Sequence, residues 1–531
     1  MFQKSVNAGY WQAPPLKRNQ IVLFQTFLED RIPDDHPVRL LDELDWTDWE
    51  DTYDRRKGQP PIHPGILCKV LLFAMTRRIR SSRNIEYAIN HSIDFIWLVS
   101  GRSIDHTTIS EFRRKHGDQI RNIHRQVIRT AIDMGLARLS DLCIDGSRIL
   151  ADANRYKTWT VRRVKKLLIE LEGRITRTMN ELEFNDSIDD GLPADSLPPE
   201  LADLTARQTK MKQVLAELRA MDTRRRMKGV DPEKRPAQLP KADLDARILP
   251  NKEGGSAPNY TPVCVNEMLH GFIVEADVVV GNVEHTCLTT MIDTVAASHH
   301  VDVAVIMADS AYSTGENIAT MEDRNVELLS PLPEITCDNN PAVRKDLTQP
   351  VAANDVEKLP RNASTKVFDK QAFVYDEDED CYYCPNGRPL PRKYKETKQR
   401  TGGSVLTVIY VCDNCSDCSL VSQCRRNVNA RSGRKVIRDE HEATRNRHRE
   451  RMKDETNTER YKQRLHFGET PFAVLKRCFD LRRFLLRGRS GVRTEFQWAC
   501  TAFNLQKMMK LQAGLRAAGE ETMDFAGCCG A

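Results

Sequence analysis

Nowhere in the 531 residues does an apolar run approach the roughly 18 residues that a membrane-spanning helix requires. The first twenty residues, MFQKSVNAGYWQAPPLKRNQ, lack the apolar segment of a secretory leader, so a cytoplasmic chain with no membrane partner is expected. There is no bulk excess of one charge either. Against 80 Lys and Arg stand 75 Asp and Glu, a net of +5, so a surface for a polyanion must come from local clustering. Disulfides are also disfavoured. The fifteen cysteines are expected, in a reducing compartment, as thiols or metal ligands. What the chain does have is length, enough for three or four modules rather than one core.

The pattern along the chain gives an α/β multidomain protein. Residues 1–60 read as irregular, with a short helix in DDHPVRLLDELDWTDWE, and a compact helical domain fills out 1–135. Pro64 suits a first helical turn, and Ser81 or Ser82 suits the N-cap of the next helix. The string Thr108-Ile109-Ser110-Glu111 reads as a capping box before an amphipathic helix through Ile120, Ile123, Val127 and Ala131. Residues 136–335 carry short apolar strands, interrupted at about 157–222 by two heptad-patterned helices that read as an inserted antiparallel hairpin. Within that span a hairpin turns at His270-Gly271, and Ser313 with Glu316 reads as another capping box. Strand, helix and strand in succession, with long apolar runs, imply a buried, partly parallel sheet. Residues 336–430 read as a loop-rich insertion with a cysteine cluster, and 431–531 as helical and basic.

Three acids interrupt this pattern where chemistry is possible. Asp145 follows LCI, Asp309 follows VIMA, and Glu469 precedes Thr470 and Pro471, a cap and first-turn pair. An acid at a strand end can simply turn the chain. It can also present a metal ligand at the carboxyl end of a sheet, where open α/β folds place their sites. Three carboxylates can share two hard divalent cations, Mg2+ or Mn2+, about 3.5–4 Å apart. Tyr461, Arg464 and Lys476 lie near Glu469 in sequence, with Lys476 two helical turns beyond it on the same face, as a held phosphate would need. A surface ion-pair ladder is the plainer account of them.

Cysteines form the second constellation. CYYCPNG supplies Cys381 and Cys384, and CDNCSDCSLVSQCRR supplies Cys412, Cys415, Cys418 and Cys424. Two close-spaced thiol sets suit a tetrahedral Zn2+ knuckle or ribbon, for which six thiols are two too many. Cys68, Cys143 and Cys264 sit in apolar runs and read as core residues. Basic runs complete the picture. Arg80 and Arg83, Arg113 and Arg114, and Arg482 and Arg483 stand in clusters able to follow phosphates, and eleven Lys or Arg face four acids between Arg425 and Lys453. Arg113 and Arg114, at the start of a capped helix, would enter a major groove.

The stretches HPGILCKVLLFAMTRRIRSSRNIE, DHTTISEFRR, IDGSRILADANR, DARILPNKEGG, IMADSAYSTGEN, GETPFAVLKR and RTEFQWACTAFNLQKM resemble, in order, those of bacterial insertion-sequence DDE transposases with an InsH-type helical N-terminal domain. The resemblance implies an RNase H-like catalytic core, a helical N-terminal DNA-binding domain and a zinc-ribbon-like insertion. It implies a metal triad of Asp145, Asp309 and Glu469, holding two Mg2+ or Mn2+ ions. It favours Cys384, Cys415, Cys418 and Cys424 as zinc ligands. Arg464 departs from the related Tyr–Arg–Glu–Lys signature by one residue, with four rather than three between it and Glu469. His285 stands where many relatives carry an acid and is assigned no role. The implied partners are terminal inverted repeats, target DNA and a second copy of the chain in a nucleoid-associated homodimer. The alternatives are a non-catalytic, domesticated DNA-binding protein, and a divalent-metal nuclease without strand transfer.

Overall fold

In the computed structural model the described residues are 62–186, 199–227, 229–251, 254–332, 340–400, 403–413, 415 and 417–517, with short stretches between 27 and 44. The short helix expected within 34–50 falls largely outside them. The chain divides into two compact units, Met1–Phe112 and Arg113–Ala531. No helix among the described residues is long and apolar enough to cross a membrane.

The first unit is built on helices. In α1 (Pro64–Thr76), His63 Nδ1 accepts the Gly65 N–H, Pro64 takes the first turn, and Arg78 at φ 64° closes the helix in the left-handed region. Ser81 then stands at the N-cap of α2 (Ser82–His91), and α3 (Ile93–Leu98) follows after a break at Ser92. Phe73 of α1 and Phe95 of α3 pack with ring centroids 5.1 Å apart, beside buried Ile85 and Ile89 of α2. The expected capping box at Thr108 is not a helix start. Asp105 caps α4 (His106–Lys115) by accepting the Thr107 N–H at 2.7 Å, and a second helix, α5 (Gly117–Asp133), begins after a break at His116.

The second unit holds a mixed seven-stranded sheet. Its centre is β1 (Asp141–Gly146), continued by β2 (Ile149–Leu150). After the helices α6 (Val161–Asp186) and α7 (Pro199–Met227) come β3 (Arg247–Pro250), β4 (Ser256–Glu267) and β5 (Ile273–Val279). Then follow α8 (Leu288–His299), β6 (Val305–Met307), α9 (Gly315–Asp323) and β7 (Glu327–Leu329). Across the main sheet the order is β5-β4-β1-β6-β7, with β4 antiparallel to β1 and β5, and β6 and β7 parallel to β1. The turn between β4 and β5 is organised by Glu267, fully buried, whose carboxylate accepts the N–H groups of Leu269, His270 and Phe272. α9 starts one residue later than the Ser313 box implied, with Thr314 Oγ1 accepting the Asn317 N–H.

Two helices from opposite ends of this unit cover the sheet. α5 packs on the C-terminal helix α13 (Gly488–Ala517), which also crosses β5. Trp498, Phe496 and Leu505 are buried there, and Asn504 pairs both the N–H and the carbonyl of Ile273 at 2.9 and 2.7 Å. The sequence placed α5 with the N-terminal domain, but its apolar face meets α13 instead. Val164, Leu171, Leu204, Met211 and Leu218 form the core between α6 and α7.

The region read as loop-rich, 336–430, supplies four strands of a five-stranded antiparallel meander, β8 (Val374–Asp376), β9 (Cys381–Tyr383), β10 (Pro389–Arg400) and β11 (Gly403–Val411), and the fifth, β12 (Lys435–Asp439), comes from the segment read as helical. Two of its strands, β10 and β12, are rich in charge, so the apolar alternation that marks a strand is masked there. Three helices follow, α10 (Glu442–Lys453), α11 (Glu455–Lys462) and α12 (Thr470–Arg477), with a π-helical turn at Leu465–Glu469 before the last.

Candidate active site and cysteine cluster

β1 and β6 run parallel, and their register decides what stands at their ends. Asp141, Leu142 and Cys143 pair with Val305, Ile306 and Met307. Two residues further on stand Asp145, still in β1, and Asp309, just past the end of β6, near enough for the charge of Asp309 to act on Asp145. Asp145 is buried. Asp309 leaves its strand as the cap of a short 3-10 turn, Oδ1 accepting the Ala311 N–H at 2.9 Å. Its carbonyl accepts from Ser330 Oγ at 2.7 Å, and the Ser330 carbonyl accepts from His448 Nε2 at 2.7 Å. Arg451 Nη2 donates to His448 Nδ1 at 2.8 Å, and burial holds the imidazole below its ordinary pKa, so a neutral, Nε2-protonated ring pins the loop after β6.

Glu469 reaches the same strand end through the π-helical turn, a rare insertion of one residue into a helix. The turn lies directly on β1: a Cβ at Gly468 would sit 3.2 Å from Cys143 Sγ and 3.3 Å from Asp145 Cβ. Asn266 Nδ2 donates to the Phe467 carbonyl at 2.9 Å and fixes the turn to β4. The helix runs on from this turn, so Thr470 lies inside it and caps nothing, contrary to the expectation.

Burial pushes the Asp145 carboxyl up to about 6. The Arg464 guanidinium, Nη2 3.8 Å from Asp145 Oδ1, opposes that rise, while the charges of Asp309 and Glu469 add to it. Asp145 thus feels both of the other carboxylates. Tyr461 packs against Cys143 and Met307, with the Arg464 guanidinium 6.0 Å from its ring centre. Lys476 Nζ donates to Ser147 Oγ at 2.7 Å, which carries it to the segment just past Asp145. Arg482 and Arg483 are exposed beside β2, held by Leu150 N–H to the Arg482 carbonyl at 3.2 Å.

Two basic residues are elsewhere than expected. Arg113 is buried, and both it and Arg114 belong to the last turn of α4, not to a helix start. Basic side chains belong there electrostatically, against the negative end of the helix dipole. Arg80 is also buried, whereas Arg83 is exposed on α2. Sequence reasoning missed Gly468, Ser147, Asn266, Ser330 and His448. Of these only Gly468 left a signal, a glycine directly before the candidate acid.

In the meander, Cys384, Cys415, Cys418 and Cys424 line a cavity of about 20 Å³ together with Cys412, Arg388, Arg425 and Arg434. That is room for a single ion or water. Burial pushes the Cys424 thiol up to about 12, and the neighbouring Cys415, Cys384 and Cys418 add to the rise. Backbone N–H groups of Arg388 and Arg434 point at Cys384 Sγ and Cys415 Sγ, each at 3.3 Å, and such donors stabilise a thiolate. The first turn needs Gly387, at φ +73° with the place of a Cβ only 2.1 Å from the Thr348 carbonyl oxygen. Cys381 sits apart, 4.0 Å from Glu379. Among the described residues, the group whose ligand atoms all lie within 4.8 Å of one another is Glu86, Asp105 and His106. They are joined as a hydrogen-bonded brace, His106 Nδ1 lying 2.9 Å from Glu86 and 3.3 Å from Asp105.

No curated protein matches the chain. Among solved structures, it aligns with the piggyBac transposase synaptic complex with hairpin DNA at 9% identity and TM-score 0.32, over 92% of this chain and 76% of that one. It aligns with a pre-cleavage Mos1 transpososome at 8% identity and TM-score 0.15, over 54% and 64%. Two family models match the sequence directly: a transposase domain over residues 26–115, and a transposase DDE domain over 383–509, which takes in the five cavity cysteines and Glu469. With both on one chain, the two matches support an insertion-sequence DDE transposase.

Proposed function

We propose that this transposase binds the terminal inverted repeats of its own element, cleaves DNA there and joins the freed end to target DNA. What supports the reading is that the parallel register of β1 and β6 leads Asp145 and Asp309 to one end of the sheet, with Gly468, the residue before Glu469, close against Asp145. The strand order β5-β4-β1-β6-β7, three antiparallel and then two parallel, is that of an RNase H-like core. The donors are all carboxylate oxygens, which fit Mg2+ or Mn2+. Burial leaves Asp145 with one nearby cation, Arg464, so the site has negative charge for divalent ions to offset. Such ions, when bound, lower the pKa of an attacking water or 3′-hydroxyl and stabilise the leaving oxygen.

The chain's own groups do the rest. Asp145 and Asp309 hold the ligand positions on the rigid sheet, and Glu469 completes them from the helix. Arg464 keeps the Asp145 carboxylate oriented. Lys476, steadied by Ser147, holds a phosphate next to the scissile bond, and Arg482 and Arg483 follow the backbone beyond it. Cys384, Cys415, Cys418 and Cys424 would hold a structural Zn2+, which would tie the meander together when bound. The active complex is a homodimer that brings two element ends together, in the cytoplasm at the nucleoid.

The test is nicking of a supercoiled plasmid carrying the element's ends. Wild type should nick it only with Mg2+ or Mn2+, and Asp145→Asn, Asp309→Asn and Glu469→Gln should abolish cleavage while binding stays within a few-fold. Full activity in any one variant removes that residue from the site. A wild type that binds without nicking is the domesticated DNA-binding protein. Nicking with no joined product identifies a plain nuclease.

A further inference from the structure

Arg113 is buried, and Arg114, though exposed, stands in the last turn of α4, so neither is presented from the start of a helix; α2 has exposed side chains at its first turn. Ile85, Ala88 and Ile89 are buried, while Arg83, Asn84, Tyr87, Asn90 and His91 are exposed. Those five positions fall at steps of one, four, seven and eight, so they form one solvent-facing stripe. The stripe contains no acid, since Glu86, the only acid of the helix, is turned to His106 at 2.9 Å. Tyr87 is 66% exposed and stacks on His91 with centroids 4.1 Å apart and planes 13° from parallel. His91 Nδ1 meets the Tyr87 carbonyl at 2.7 Å and Asn90 Nδ2 the Glu86 carbonyl at 2.8 Å, so the C-terminal part of the stripe is held in place before any partner arrives.

We propose that α2 is the helix that reads base pairs, lying in the major groove of duplex DNA with Arg83 and Asn84 at the base edges. The proposal rests on the reading of this unit as a DNA-binding module. The chemistry selects the occupant. A guanidinium pairs with guanine O6 and N7, a carboxamide with adenine N6 and N7, and an aromatic edge contacts the thymine methyl. Arg83 and Asn84 lie in the first turn, the part of a recognition helix that meets bases. The segment leading into α2, Arg77–Ser81, brings exposed Arg77 and Arg78 to the amino end of the helix, where phosphates are drawn by both charge and dipole. Arg77 shares its charge with Asp94 at 3.2 Å.

Selection from a duplex library with a randomised centre, using the full-length protein, tests this directly. Wild type should enrich a motif. Arg83→Ala and Asn84→Ala should each lose preference at one or two adjacent positions, on the order of ten- to a hundredfold, with binding to an unselected duplex nearly unchanged. Asn84→Asp gives a readout that misfolding cannot imitate: an adenine preference should become a cytosine preference, because a carboxylate accepts from N4 but donates nothing to N7. Variants that enrich the wild-type motif with wild-type affinity would overturn the proposal. Equal weakening on every duplex would overturn it too, making α2 a phosphate clamp. So would a wild type that enriches nothing but is captured by an acidic protein surface. The plasmid-nicking test stands apart, so loss of catalysis with the motif retained would refute the metal triad and not α2.

Discussion

Gly468 offers the sharpest probe of the site, because one methyl group tests how the π-helical turn positions Glu469. In Gly468→Ala the new Cβ meets Cys143 Sγ at 3.2 Å and Asp145 Cβ at 3.3 Å, so a neighbour must give by a few tenths of an ångström. Overpacking of this kind costs about 1–3 kcal/mol. Replacing glycine inside a helix returns about 0.5–1 kcal/mol. Net destabilisation should therefore be about 1 kcal/mol, a small shift in the melting curve. Activity should suffer more. A displacement of about 1 Å can cost on the order of a hundredfold in rate, so a few tenths between Asp145 and Glu469 should cost about three- to tenfold. The assay is the rate of metal-dependent plasmid nicking at saturating Mg2+, with thermal unfolding measured alongside. Cys143→Ala in the same chain removes the closer contact and should restore part of the rate, a coupling that a double-mutant cycle isolates. Wild-type nicking and melting in Gly468→Ala, or no coupling to Cys143, would refute the close approach of the turn to β1.

Zinc content gives a second check: the purified protein should carry about one Zn2+ per chain, and Cys415→Ser or Cys418→Ser should open the meander to proteolysis. Metal-free protein with an intact, protease-resistant meander would refute the site. Stability should also depend on pH through His124, which is buried between α5 and α13 with Nδ1 3.2 Å from Thr501 Oγ1 and is lowered by burial to about 4. The unfolded state then binds the extra proton first, so stability is present above about pH 6.5 and falls towards pH 4. Between pH 7 and pH 5 His124 should account for a loss of roughly 2 kcal/mol in urea unfolding. His124→Gln should remove that share while leaving the share of His299, which burial also lowers to about 4.

The sequence disclosed most where local pattern and tertiary role coincide. Asp145 and Asp309 were visible because each ends an apolar run, and α6 and α7 because a heptad stripe needs a partner. The meander was not, because β10, PLPRKYKETKQR, carries its pattern under charge. The misplaced arginines trace to a spacing, Thr108 to Glu111, that mimics a capping box while Asp105 does the capping. Arg464 shows the reverse case. Its extra residue relative to the related signature looked like a fault, and the π-helical turn at Leu465–Glu469 contains one residue more than an α-turn would. Backbone insertions of that kind leave no mark in a side-chain pattern. The braces on Asp309 from Ser330 and His448 were hidden too, since they join residues far apart in the chain.

That distance has a consequence in time. Asp145 and Glu469 are separated by about 320 residues of chain, which a ribosome working at about 5–20 residues per second takes roughly 15–60 seconds to add. Throughout that interval the nascent polypeptide holds the sheet's carboxylates without the helix that completes them. α13, which lies across β5 and against α5, emerges later still. The order of synthesis therefore works as a delay. No partial product of translation ending before Glu469 has all three of these carboxylates, so the cleavage proposed for them would have to wait for that residue.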